Sequence, residues 1–315
     1  MNGTVMRDLS DYRNSRVLIT GASGFIGSGL CARLRALGAE LHAVTRASVP
    51  ATTTGTRWWK VDLARSEKVE ELIASVQPDF VFHLASAVTG QRDLTAVIPT
   101  LNGNLVSAVN VLHAAASCRC RRVVLAGSLE EPDSTTDEAV PASPYAAAKW
   151  AANGYVRMFH ALYNTPVVVA RIFMVYGPGQ RDLQKLIAYV TLALLRGEQP
   201  RLSSGARPVD WIHVDDVVSG LLALGLAPHI EGGRIDLGSG ELVTVRHVVE
   251  TLCRLVGEAS EPLFEALPDR PMEQIRRARV QESCKIGWMP SIALEAGLKG
   301  TVEWYREQLE SGALT

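Results

Sequence analysis

The chain's 315 residues, 47% of them hydrophobic, can fill the core of one large domain or two closely joined ones. Its 32 lysines and arginines nearly balance 33 aspartates and glutamates, which excludes a one-signed field drawing the whole chain to nucleic acid or lipid and leaves small-molecule chemistry. Residues 1–15 lack the apolar core of a secretion signal, and no apolar run approaches the roughly 18–20 residues of a membrane span, so a cytoplasmic protein without nucleic-acid or membrane partners is expected.

The first two-thirds of the chain alternates short β-branched runs with helical patterns, which predicts a doubly wound parallel α/β sheet with helices on both faces. The first strand, Arg16 to Thr20, leads into "TGASGFIG" (20–27) and a helix from Phe25 to Leu37. In that context Gly21-x-x-Gly24-x-x-Gly27 predicts a dinucleotide cradle. Gly21 allows the tight turn, Gly24 lets backbone N–H groups approach a diphosphate, and Gly27 lets the helix pack closely on the strand; Ser23, Phe25 and Ile26 complete the loop.

The second strand, Leu41 to Thr45, ends at Arg46 with no acid nearby. An acid at this place would accept hydrogen bonds from the ribose 2′-hydroxyl of NAD(H), whereas a guanidinium suits a 2′-phosphate. The expectation is therefore NADP(H); if Arg46 is only a solvated loop residue, NAD(H) is the alternative. A third strand, Trp58 to Val61, precedes Asp62 and Leu63, and a fourth, Phe80 to Leu84, precedes Ala85 and Ser86. Asp62, Leu63, Leu84, Ala85 and Ser86 are expected beside the adenine and its ribose. Helices are expected at Ser66 to Ser75, Asn104 to Ala116 and Tyr145 to Tyr163, and further strands at Arg122 to Ala126 and Val167 to Ile172.

From Tyr176 onward the regularity weakens, with Gly-Pro turns and the basic stretch "PDRPMEQIRRARV". Two later pieces, "IHVDDVVSGLLALG" and "GRIDLGSG", read as a helix and a strand returning to the main sheet. The expected division is a dinucleotide-binding domain of residues 1–176 and 208–240 and a smaller substrate-binding portion of residues 177–207 and 241–315. The five cysteines are scattered, Cys118-Arg-Cys120 has neither metal-ligand nor redox spacing, and His83, His113, His213 and His247 have no metal spacing, so reduced thiols and no metal site are expected.

Proton chemistry is written in "SPYAAAKW" (143–150), which opens a helix and sets Tyr145 and Lys149 four apart on one face. A fixed ammonium beside a phenol favours the phenolate and is expected to bring Tyr145 toward neutrality, where it serves as general acid or base. Ser128, at the end of the fifth strand, can hydrogen-bond a substrate oxygen while Tyr145 moves the proton.

With these pieces in view, the sequence resembles the extended short-chain dehydrogenase/reductase family, the NAD(P)-dependent epimerase/dehydratase group acting on nucleotide sugars. The resemblance runs through "TGASGFIG", "HLAS", "LAGSLEE", "SPYAAAK", "RIFMVYGPGQ" and "VDWIHVDDVV" to "IGWMPSIALEAGLKGTVEWY". It implies a Rossmann fold, a nucleotide-sugar substrate, catalytic roles for Ser128, Tyr145 and Lys149, with Lys149 also on the nicotinamide ribose, and a match of the family's sheet-edge asparagine to Asn104. It implies too that Ile172 and Phe173 border the nicotinamide and that helices 104–116 and 145–163 form a homodimer interface.

Departures from the family bear on the reaction. Dehydratases commonly carry Thr-Asp-Glu beside the catalytic serine position; here the run is Ser128-Leu129-Glu130, so a leucine replaces the central acid while Glu130 remains as a candidate acid. "GSLEEP" also resembles the "GSSEEYG" of 4-keto-6-deoxyhexose reductases. With no acid at the second strand, NADPH-dependent reduction of a 4-keto hexose nucleotide is the favoured expectation. The alternatives are C4 epimerisation, 4,6-dehydration, a ketoreductase on a non-sugar substrate, and a non-catalytic dinucleotide sensor. Met174 and Val209 stand where relatives often have Asn and Arg. Arg207 and Arg270 are the candidates to hold the substrate's diphosphate, each equally compatible with a surface position.

Overall fold

The computed structural model describes residues 9–46, 55–132, 139–257, 261–272 and 274–314. They form two compact units, one of residues 1–172, 218–236 and 281–289, the other of residues 173–217, 237–280 and 290–315.

The first unit is built on a seven-stranded sheet. In chain order its strands are β1 (Arg16–Thr20), β2 (Glu40–Thr45), β3 (Thr56–Lys60), β4 (Phe80–His83), β5 (Arg122–Ser128) and β6 (Val167–Ile172), followed after two strands of the second unit by β9 (Arg234–Leu237). Their spatial order is β3-β2-β1-β4-β5-β6-β9. Every neighbouring pair from β3 to β6 is parallel, and the bonds Val169 N–H to Gly233 O and Phe173 N–H to Leu237 O advance in step, so β9 is parallel too. β1, β4, β5 and β6 are almost wholly buried, as sheet strands covered on both faces must be. The edge strand β3 instead carries Arg57 and Lys60 to solvent, which blunts its open backbone. The order reverses between β1 and β4, and the crevice at the carboxyl ends of such neighbours is where doubly wound sheets bind ligands.

Helices Phe25–Ala36, Ser66–Val76 and Pro144–Tyr163 lie at or within two residues of their expected bounds. The one expected at Asn104 starts earlier: Val97–Thr100 runs through a π-helical stretch, Leu101–Val106, into Ser107–Ala116. Pro99 sits in the first turn of Val97–Thr100, where its missing N–H costs nothing. Among the described residues, 94–116 is the one helix long and apolar enough to cross a membrane by length and composition. Ala108, Val111, Leu112 and Ala115 of that helix belong to the core against Leu72, Val76, Val123 and Phe159.

The last strand is fastened by charge. Arg171 on β6 clasps Asp236 on β9 with two parallel bonds of 2.7 Å, and the side chains are 2% and 1% exposed. Nearer the chain start, the Tyr12 hydroxyl donates to Leu222 O at 2.8 Å, in the space that the absent side chain of Gly225 leaves beside the ring.

The second unit has a smaller sheet of β7 (Met174–Tyr176), β8 (Pro208–His213) and β10 (Leu242–Thr244), in the order β10-β8-β7, under helices Leu186–Leu195, Val245–Val256 and Leu294–Glu310. Buried Asp210 organises it by accepting from Ser239 N–H, Ser239 Oγ–H, Gly240 N–H and Ala278 N–H. Asp216 ties down a turn by accepting from Ser291 N–H, Ser291 Oγ–H and Ile292 N–H.

Candidate active site

The cradle forms where β1 meets its helix. Gly21 has φ +69°, and a Cβ there would lie 2.7 Å from Ala85 N and 2.8 Å from Leu84 C, so the turn presses directly on the backbone leaving β4. Gly27 is tighter still, because a Cβ would collide with the Gly21 carbonyl oxygen. Helix Phe25–Ala36 therefore starts against the strand, with Gly24 as an N-cap that brings no side chain over the first N–H groups. Ser23 and Gly24 are exposed, and Phe25 and Ile26 partly so. A diphosphate fits this backbone-lined, positively poled turn. Leu84 and Ala85 are held beside it by Thr20: Leu84 N–H donates to its carbonyl and Ala85 N–H to its Oγ1.

Thr20 Oγ1, which accepts from Ala85 N–H, also lies within hydrogen-bond distance of His83 Nδ1, 2.9 Å away. Burial, aided by Lys149, pushes the His83 pKa down to about 3, so it is neutral. Thr45 is buried and Arg46 exposed at the end of β2, while residues 47–54 lie outside the described residues. Asp62 is exposed and caps the next turn through Ala64 N–H, whereas Leu63 is buried and its carbonyl accepts from Asn110 Nδ2.

The proton-transfer group converges at the carboxyl end of β5. Helix Pro144–Tyr163 is capped by Ser143, whose Oγ accepts from Ala146 N–H, and proline opens its first turn. This places Tyr145 and Lys149 against Ser128, all three buried. The hydroxyls of Ser128 and Ser86 hydrogen-bond the phenol oxygen of Tyr145. Ser128 Oγ also accepts from Glu130 N–H at 3.2 Å, which leaves its own proton to be donated. Asn104 is not among the phenol's partners; its Oδ1 accepts from Ser86 Oγ (2.6 Å) and Ala87 N–H (2.9 Å) and so holds the loop after β4 in place.

The charge balance differs from the expectation. Burial pushes the Tyr145 phenol up to about 12, against the pull of Ser128 and Ser86, so it stands as the acid form at neutral pH. Lys149 does not offset this. Its amine donates to Ala126 O at 2.9 Å, lies 5.9 Å from the centre of the Tyr145 ring, and is itself pushed down to about 8 by burial.

Of the remaining predicted residues, Glu130 is exposed but close enough to raise the Tyr145 pKa. Ile172 is buried, its carbonyl accepting from Leu129 N–H. Phe173 is buried with its ring against Gly238 in the second unit. In that unit Met174 packs on the core, Arg207 is part-buried with its carbonyl accepting from Val245 N–H, and Arg270 is exposed beside Asp269, which accepts from Ser204. The sequence reading missed Glu131. It is wholly buried, and its Oε1 accepts from Ser128 N–H at 2.6 Å. The available signal was Gly127, whose Cβ would lie 2.7 Å from that oxygen. Among the described residues no cluster of three metal-ligating side chains occurs.

The sequence pattern described as the NAD dependent epimerase/dehydratase family matches residues 17–238. UDP-glucose 4-epimerase of Mycolicibacterium smegmatis is 31% identical over 314 residues, covering 93% of this chain and 99% of that protein. The crystal structure of UDP-glucose 4-epimerase with UDP-glucose from Thermotoga maritima is 25% identical with a TM-score of 0.84, over 93% of this chain and 99% of its own. That of the Thermus thermophilus UDP-glucose 4-epimerase complex with NAD is 26% identical with a TM-score of 0.79, over 92% and 99%.

Proposed function

We propose, for a chain that belongs to the NAD dependent epimerase/dehydratase family, that it oxidises a nucleotide-linked hexose at C4 and returns the hydride to the same sugar, inverting that centre. The observation that carries this reading is the Tyr145 phenol, buried and hydrogen-bonded to Ser128 at the carboxyl end of β5 with Lys149 one turn along its helix. The dinucleotide, when bound in the glycine cradle, supplies the hydride acceptor and donor. In the oxidising step the Tyr145 oxygen, its own proton first released to solvent, takes the C4 hydroxyl proton while Ser128 orients the sugar oxygen; in the returning step the phenol gives that proton back. Leu129 supports epimerisation over dehydration, since a buried hydrocarbon stands where a second acid would be needed to eliminate water. Arg207 and Arg270 are proposed to hold the diphosphate.

Thr45-Arg46 favours a second reading, net reduction of a 4-keto sugar with NADPH, because no carboxylate at the end of β2 repels a 2′-phosphate. NAD is supported by the relative whose complex contains it. The two readings separate when the enzyme is given nucleotide hexoses and their 4-keto forms: an isomer formed without net loss of dinucleotide supports epimerisation, and stoichiometric NADPH consumption supports reduction. Arg46→Asp decides the coenzyme independently. If Arg46 grips a 2′-phosphate, the variant loses about tenfold or more in NADPH affinity relative to NADH in a fluorescence titration, as expected for a lost charge-assisted contact; an unchanged ratio leaves NAD.

Pairing of two copies through helices 97–116 and 144–163 is also proposed. Val97, Ile98 and Leu101 on the first and Tyr155, Leu162 and Tyr163 on the second are exposed apolar side chains, and such patches mark contact surfaces.

A further inference from the structure

We propose that Glu131 is a positioning residue of this site, a buried carboxylate that fixes the Ser128 backbone and supplies the counter-charge for the Lys149 ammonium. This rests on the reading of Ser128, Tyr145 and Lys149 as the proton-transfer group. Both oxygens of Glu131 are engaged. Oε1 accepts from Ser128 N–H at 2.6 Å, and Oε2 accepts from Asn153 Nδ2, one turn beyond Lys149, and lies 3.8 Å from Arg234 Nη1 on β9. The side chain is wholly buried, and Gly127 leaves the space for Oε1. A carboxylate removed from water this completely is costly unless cations and donors surround it.

The titratable groups around the pair are Arg234 from β9, His83 from β4, Tyr145 on the same helix as Lys149, and Glu130. Lys149 Nζ donates to Ala126 O and Glu131 Oε1 accepts from Ser128 N–H, so amine and carboxylate grip the same end of β5, and Asn153 Nδ2 donates both to Glu131 Oε2 and to Lys149 O. With His83 neutral and Tyr145 a phenol, Glu131 is the acid placed to offset the burial of Lys149. Burial pushes Lys149 down and Glu131 pushes it back up. Burial in turn raises Glu131, while Ser128 N–H, Arg234, Asn153 and Lys149 lower it. The arrangement acts as proposed with Glu131 deprotonated and Lys149 protonated, so an acid limb is assigned to the carboxylate and an alkaline limb to the amine.

Glu131→Gln keeps the volume and an acceptor for Ser128 N–H and removes the charge. The ionisation of Lys149 is read on the coenzyme-free protein by NMR of the labelled amine, and on the working enzyme by the alkaline limb of kcat. Both are expected to move to lower pH by about one unit, the effect of withdrawing a nearby opposite charge, and Glu131→Asp is expected to move them back. A variant with lower Tm and slower turnover but unmoved limbs would assign Glu131 a packing role and overturn the proposal. Should Glu131→Gln not fold, Asn153→Ala carries the test: it removes a donor to Oε2, so the acid limb should move to higher pH, and a limb that stays in place overturns the proposal equally. An enzyme whose Lys149 titrates as expected but moves no hydride refutes the proposed function and leaves the assignment of Glu131 standing.

Discussion

Replacing Tyr145 with phenylalanine is expected to lower turnover by about 10²–10⁴-fold, the usual worth of a positioned general acid or base. Coenzyme affinity and fold should be nearly unchanged, because the ring stays in its buried place and only the oxygen is lost. The two hydroxyls that touched it keep other partners: Ser128 Oγ still accepts from Glu130 N–H, and Ser86 Oγ still donates to Asn104 Oδ1. The stability cost is therefore about 1–3 kcal/mol, since the phenol's hydrogen bonds are lost and the buried Ser128 O–H is left without its acceptor. Since burial holds the phenol at about 12, it is already protonated for the reducing direction, and the oxidising half-reaction should quicken as pH rises toward the point where Lys149 loses its proton. Single-turnover rates in each direction, together with a coenzyme titration of the same variant, check both parts. Full-speed turnover by the phenylalanine variant would remove Tyr145 from the reaction and with it the proposed chemistry.

The largest expected effect on stability is at the other side of β6. Asp236→Ala should destabilise the protein by about 3–5 kcal/mol, because it leaves the Arg171 guanidinium charged in a place with almost no water. The pair lies 2% and 1% exposed with two bonds of 2.7 Å, so solvent screening does not reduce the penalty as it would at a surface pair. Replacing both partners, Arg171→Met with Asp236→Leu, should cost much less than the single change, since no buried charge remains unmatched. Denaturant unfolding of the two variants measures the difference. A single variant within about 1 kcal/mol of the parent would show that the clasp behaves like a surface ion pair.

Much of the first unit was legible because its signals are local. Strands Arg16–Thr20 and Val167–Ile172 are rich in β-branched residues, and the glycine triplet needs only its neighbours to be read. Asn104 was found by resemblance, but its work as a clasp on the loop at Ser86 and Ala87 depends on a π-helical turn that no residue pattern announces. The acidity of Tyr145 was misjudged for a related reason. Spacing on a helix shows that an amine is near, whereas the cost of burial depends on what the rest of the fold packs over the ring. Glu131 escaped because two adjacent glutamates look alike in sequence, and only the turn after β5 sends one outward and the other into the core. The second unit was least legible, its small sheet being assembled from strands far apart in the chain around Asp210.

Gly127 and Glu131 share one small volume, with the carboxylate oxygen 2.7 Å from where a methyl group on the glycine would sit. With Val169, whose Cγ1 would lie 2.7 Å from the same methyl group, the two positions make a single mutational locus. A chain descending from this one could acquire a side chain at 127 only after both the acid at 131 and the valine at 169 had given way, so the order of the steps is constrained by sterics before any selection for activity acts.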